Sequence, residues 1–119
     1  MANFISKLLT KEEAIPILRV AKAADAVKWY GRLGFHQEWE HRFEPGFPAF
    51  VSIERQGVRL FLSEHTGDAK PDTLVYLRVK QVGPIAREFG VQVTEQAWAH
   101  EVHLQDPDGN RLRIGTPKP

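Results

Sequence analysis

IPILRVAKAADAVKWYGRLGF, Ile15 to Phe35, runs from a strand-like stretch into a helical period and then a glycine stop. Ile15–Val20 is short and rich in β-branched residues, as strands are. Ala23, Ala26, Val27, Tyr30 and Leu33 then share one face at a spacing near 3.6, which predicts a helix over Ala23–Leu33. Gly34 supplies the left-handed residue that ends it. Three further strands are expected at Phe35–Phe43, Phe50–Arg55 and Val58–Ser63, where apolar residues alternate with polar ones.

The same order returns downstream. Leu74–Val79 reads as a strand and Val82–Phe89 as a helix, with Pro84 confined to its first turn and Gly90 at its end. Val91–Glu95, Glu101–Gln105 and Arg111–Ile114 are the three strands that follow. Short echoes tie the halves together: Leu18-Arg19-Val20 against Leu77-Arg78-Val79, Gly34-Phe35 against Gly90-Val91, and Gly57-Val58-Arg59-Leu60 against Gly109-Asn110-Arg111-Leu112. The expected fold is therefore α+β, with two βαβββ units (about 14–63 and 73–115) in one domain, 14–119, after an N-terminal extension, 1–13. Glu64–Asp72, with Gly67 and Pro71, joins them. One helix per unit covers one face of its mixed sheet. The other face must be covered by the second unit, a second chain or a ligand, so two curved sheets imply a concave cleft.

Composition narrows the function. The chain has 119 residues, 42% hydrophobic and 26% charged, and a formal net charge of +1, which suits one globular domain and not a general nucleic-acid binder. It has no cysteine, which excludes disulfides, thiolate metal sites and a cysteine nucleophile. MANFISKLLTKEE lacks the apolar region of a signal peptide, and no apolar run reaches the roughly 18 residues of a membrane span. A cytoplasmic protein without nucleic-acid or membrane partners is expected.

Period-two alternation assigns the faces. Leu60, Leu62, Val75, Leu77, Val102, Leu104, Leu112 and Ile114 point to the core; Arg59, Phe61, Ser63, Tyr76, Arg78, Glu101, His103, Arg111 and Arg113 oppose them. In the first strand Ile15, Ile17 and Arg19 share a face, and Phe35, Gln37, Trp39, His41 and Phe43 do so in the second. His36 is expected in solvent beside Glu38 and Glu40. The mixture of aromatics, arginines and a His/Glu pair is the chemistry of a ligand cleft. Asp106-Pro107-Asp108-Gly109, just before Arg111, is a type I turn in which Asp106 can bond its own backbone.

The double βαβββ order, the segment AVKWYGRLGF and the run DPDGNRLRI resemble the vicinal oxygen chelate superfamily of glyoxalase I, extradiol dioxygenases, fosfomycin-modifying enzymes and bleomycin-resistance proteins. The resemblance spans about Ala14 to Gly115. IPILRVAKAADAVKWYGRLGF, VRLFLS, DTLVYLRV and EQAWAHEVHLQDPDGN are most similar to the bleomycin-resistance group. Enzymes of the superfamily hold a divalent metal with His, Glu or Gln at set strand positions. Alignment on the LRV before the first helix puts those positions at Ile15, Phe61, Leu74 and Arg113, none of which can donate to a metal. The resemblance thus implies a protein without metal, cofactor or catalytic residues. It would sequester a bleomycin-type glycopeptide or similar aromatic molecule in a groove between the subunits of a homodimer.

The candidate ligand-binding residues are Trp39, His41, Phe43, Phe47, Phe61, Tyr76, Trp98, Glu101, His103 and Arg113. The aromatics offer stacking walls. Arg19, Arg59, Arg78 and Arg113 on the same face suit an anionic ligand unless Glu38, Glu44 and Glu101 neutralise them. Two alternatives stay open: a lyase- or isomerase-like enzyme with His103 or Glu101 as base, and a groove protein for an unrelated metabolite, anionic ones included.

Overall fold

A computed structural model describes residues 11–119, and the expected order is present twice. The first unit is β1 (Ile17–Arg19), α1 (Ala23–Gly31), β2 (His36–His41), β3 (Phe50–Arg55) and β4 (Val58–Ser63). The second is β5 (Leu74–Arg78), α2 (Gly83–Phe89), β6 (Thr94–Glu95), β7 (Ala99–Gln105) and β8 (Arg111–Pro117). Each unit forms a four-stranded mixed sheet, in the orders β1-β4-β3-β2 and β5-β8-β7-β6. β1 runs parallel to β4 and β5 to β8; the other neighbours are antiparallel.

Boundaries moved where tertiary pairing overrode the local pattern. α1 stops at Gly31 because Arg32, Leu33 and Gly34 bond carbonyls three residues back, tightening the last turn before Gly34 takes φ +92°. β7 begins at Ala99, two residues early, since Ala99 and His100 pair with Pro117 and Thr116 of a correspondingly longer β8. β6 shrinks to two residues. Residues 1–10 of the expected extension lie outside the described residues. Glu13, the last residue of that extension, pairs with Arg59 at 2.6 Å.

The helix-side faces of both sheets share one core, built from Leu18, Val20, Ile53, Leu60, Leu62, Leu77, Leu112 and Ile114 beneath Ala26, Tyr30 and Ile85. α1 and α2 meet through Trp29 and Phe89, whose rings lie 5.3 Å apart, and through Arg32 Nε donating to Glu88 at 2.9 Å. The Asp106 turn is a second tie. The buried Asp106 carboxylate accepts from the Tyr30 hydroxyl at 2.7 Å, from the Asn110 amide N–H at 2.9 Å and from Asn110 Nδ2 at 3.0 Å. Asn110 Nδ2 also donates to the Arg19 carbonyl, and Asp108 Oδ1 accepts from the Ala21 amide. A turn of the second unit thereby fastens β1 and α1 of the first. Burial and the Asp106 carboxylate both push the Tyr30 hydroxyl pKa up. α1 lacks a cap from its own Lys22; Glu64, the first linker residue, accepts from the Ala23 and Ala49 amides instead.

The units lie side by side. The molecule extends 47 × 34 × 22 Å with a Cα radius of gyration of 15.3 Å, against about 13–14 Å for a compact chain of this length. The sheet faces turned away from the helices are left open, with Ile17, Trp39, Leu74, Tyr76 and Trp98 exposed on or beside them.

Candidate functional site

The first sheet's open face is mainly apolar. Phe50 and Phe61 stand 5.0 Å apart between ring centres, and Trp39 lies 5.5 Å from Phe61 and stacks on Phe50 at 6.1 Å. Trp39 gets there through a β-bulge. Register between β2 and β3 shifts between Gln37 and Trp39, so His36, Glu38, Trp39 and His41 all serve the open face. This corrects one expectation, since Phe35 is buried in the core rather than sharing a face with Trp39; His36 is exposed as expected, with Glu38 half-buried on the same wall. Strict alternation cannot reveal a bulge, because the extra residue inverts every later assignment.

Glu38 accepts from Arg59 Nε at 2.6 Å and Nη2 at 2.7 Å, and from the Ser52 hydroxyl at 2.7 Å. The hydrogen bonds from Arg59 hold the Glu38 carboxyl below its ordinary pKa. Arg59 is thereby neutralised, and Glu13, Glu38 and Glu54 line its groove of about 400 Å³ beside Trp39 and Phe61. His36, from the same wall, pairs with Glu54 at 3.2 Å. At the rim, the His41 and Phe43 rings meet edge-on at 5.2 Å, and Phe47 is exposed in the loop whose carbonyl Arg42 holds at 2.6 Å.

The second sheet's open face is built around an ion pair. The Glu101 side chain is fully shielded from solvent. Its Oε1 accepts from Arg113 Nη2 at 2.7 Å, Arg113 Nε at 3.1 Å and His103 Nε2 at 2.9 Å, and its Oε2 accepts from the Tyr76 hydroxyl at 3.0 Å. Desolvation opposes ionisation of Glu101, but the hydrogen bonds from His103, Arg113 and Tyr76 and the Arg113 charge outweigh it and bring its pKa down to about 2. The Tyr76 hydroxyl pKa is pushed up, first by desolvation and then by its bond to Glu101. Arg113 lies 5.6 Å from the Tyr76 ring centre and 5.8 Å from that of Trp98, and the two rings are 5.9 Å apart. Gly115 makes this possible: a Cβ there would sit 1.9 Å from the Tyr76 hydroxyl.

The ten expected site residues thus fall into two groups. Trp39 and Phe61, with His41, Phe43 and Phe47 at the rim, belong to the first sheet and its loop; Tyr76, Trp98, Glu101, His103 and Arg113 form the second group. Among the described residues no aromatic contact bridges them. Phe50 and Gly115 are site residues that sequence reasoning does not identify as such, while Arg59 and Glu38 enter it only through their charge. Phe50 carries a signal, as a large apolar residue in phase with Ser52 and Glu54 on the face opposite Val51 and Ile53.

Strand register shows how the repeats correspond. Phe61 pairs with Ile17 and Ser52, and Arg113 with Tyr76 and His103; Phe50 pairs with Ser63, and Glu101 with Gly115. Superposing the two LRV triplets equates Ile17 with Tyr76, Phe61 with Arg113, Ser52 with His103 and Phe50 with Glu101. The metal positions implied by the resemblance do not fit a metal: Ile15, Phe61 and Leu74 have no donor atom, and Arg113 is a cation already bound to Glu101. Glu101 is also a poor general base, since a pKa of about 2 is far from neutral working pH.

The paired βαβββ units each leave one aromatic-bearing sheet face open. The model of the glyoxalase superfamily protein family matches residues 3–118, and the chain belongs to that superfamily. Its fold is similar to that of a bleomycin-binding protein solved in complex with bleomycin (21% identity over 91% of this chain and 100% of the other, TM-score 0.71). It is also similar to TioX from Micromonospora sp. ML1 (16% identity, 89% and 98% covered, TM-score 0.72) and to TnmS3, an antibiotic-binding protein from Streptomyces sp. CB03234 (20%, 92% and 99%, TM-score 0.67). No curated protein matches the chain. Among the described residues no helix is long and apolar enough to cross a membrane.

Proposed function

We propose that this chain is a cytoplasmic, metal-free binding protein that sequesters an aromatic antibiotic of the bleomycin type without transforming it, in grooves formed when a second copy covers the open faces. The observation that carries this reading is the pair of exposed aromatic walls, Trp39–Phe50–Phe61 and Tyr76–Trp98, on sheet faces that a single chain leaves uncovered. Glu101 is committed to Arg113, which counts against the enzyme reading.

Two of the four arginines on the open faces are balanced by carboxylates. Glu38 neutralises Arg59 and Glu101 neutralises Arg113, while Glu13 and Glu54 add negative charge to the first wall. Titration with bleomycin should quench tryptophan fluorescence at micromolar drug, and Trp98→Ala should remove most of the quench. Sedimentation should give a dimer binding two drug molecules. An unquenched titration would remove the drug reading; stoichiometric metal with glyoxalase or dioxygenase turnover would restore the enzyme.

The second wall also predicts an acid response. Because the Glu101 pKa is lowered from 4.5 to about 2, the stability it contributes is complete above pH 4.5 and is lost as pH falls toward 2. Carbon-13 NMR of the Glu101 carboxyl should therefore show a midpoint near 2, and a midpoint above 4 would mean that the ion pair does not persist in solution.

A further inference from the structure

We propose that Arg113 is the anchoring donor of the second wall and that it takes a carboxylate carried by a planar aromatic ligand stacked on Trp98 and Tyr76. The inference rests on the groove reading and not on the drug: at this wall it favours an aromatic carboxylate over a cationic glycopeptide.

A guanidinium has five N–H donors in a rigid fork. Arg113 spends one from Nε and one from Nη2 on the same Glu101 oxygen. Three remain, among them the parallel pair along the Nη1–Nη2 edge, the edge that binds carboxylates bidentately. Among the described residues Nη1 has no partner, and the Arg113 side chain is 37% exposed. Glu101 cannot be the group that meets a ligand. It is wholly shielded and accepts four hydrogen bonds, so its work is to fix Arg113, while Tyr76 and Trp98 flank the guanidinium. A donor held this way loses little side-chain freedom when a ligand arrives.

Surrounding charge favours the same ligand. Arg78 is exposed in the same strand-face series as Tyr76 and has no carboxylate partner among the described residues; Arg111 is balanced by Asp72 at 2.7 Å. Trp98, 55% exposed, supplies a stacking surface next to the fork. At the corresponding place on the first wall stands Phe61, which offers no donor, so the anchor exists at one end of the groove only.

Three naphthyl probes that differ in charge test this: 2-naphthoate, 2-naphthylmethanol and 2-naphthylmethylammonium, followed by tryptophan quenching. Naphthoate should bind about tenfold tighter than the alcohol, as expected for one bidentate charge-assisted contact, and the ammonium should be weakest. Arg113→Gln should abolish the preference for naphthoate over the alcohol, whatever the change in the affinity the two probes share. Arg113→Lys, which keeps the charge and loses the fork, should lose most of the preference. Equal binding of the three probes, a preference for the ammonium, or a preference undiminished in Arg113→Lys would each overturn the assignment. If bleomycin quenches and no naphthyl probe binds, the anchor fails while the groove stands. If neither bleomycin nor any probe binds, both readings fall.

Discussion

Asp106→Ala should be the most damaging single substitution outside the apolar core. It strands the buried Tyr30 hydroxyl and the Asn110 amide, and it removes one of two acceptors for Asn110 Nδ2. Each stranded buried donor costs on the order of 1–3 kcal/mol, so a loss of about 3–5 kcal/mol is expected. For a domain of this size that lowers Tm by roughly 12–20 °C. Tyr30→Phe, which removes one donor and leaves the carboxylate its others, should cost only about 1–2 kcal/mol. In the double variant the Tyr30 change should add almost nothing, since the two groups act through one bond. A Tm fall of less than about 3 °C for Asp106→Ala would show that the turn does not fasten the units.

Gly115→Val has the second largest expected effect, and it falls on binding as well as stability. The new Cβ would lie 1.9 Å from the Tyr76 hydroxyl and 2.8 Å from its ring carbon, distances no packing adjustment absorbs without moving the ring. Tyr76 is half-exposed and can swing toward solvent, so the chain should still fold, at about 1–3 kcal/mol for the overpacked position. The displaced ring gives up its bond to Glu101 and its place beside Trp98 and Arg113. Affinity for the aromatic ligand should drop by about tenfold or more, the equivalent of one lost stacking and anchoring contact. Adding Tyr76→Ala removes the clash, so Gly115→Val should be close to neutral for stability in that background. Equal destabilisation in both backgrounds would place the strain elsewhere.

Much of the architecture could be read from the chain because it is written in periodicities. The helical spacing through Tyr30 and Leu33, the alternation through Leu60 and Leu62, and the recurrence of LRV located the units and separated core from open face. The grouping of Tyr76, Glu101, His103 and Arg113 also followed from alternation, because β5, β7 and β8 are regular. β2 was misjudged because the bulge at Glu38 breaks the period on which the inference depends. Asp106 was expected to brace its own turn, and it does. Its bond to Tyr30, 76 residues away, joins groups from different units and has no local signature. Neutralisation of the open-face arginines by Glu38, Glu44 and Glu101 is a condition on ligand charge that side-chain geometry meets for Arg59 and Arg113, since composition counts charges without saying which ones touch.

Phe61 and Arg113 occupy the same address in two copies of one structural unit and have nothing chemical in common. In the groove we propose, a molecule lying across both walls would have one heading: reversing it end over end would set its apolar portion on the guanidinium and its polar portion on a phenyl ring. Two repeats that kept a common backbone while their open faces diverged have turned a symmetric scaffold into a directional one. Substitutions at Phe61 and at Arg113 can then change what each end of the ligand may be, one independently of the other.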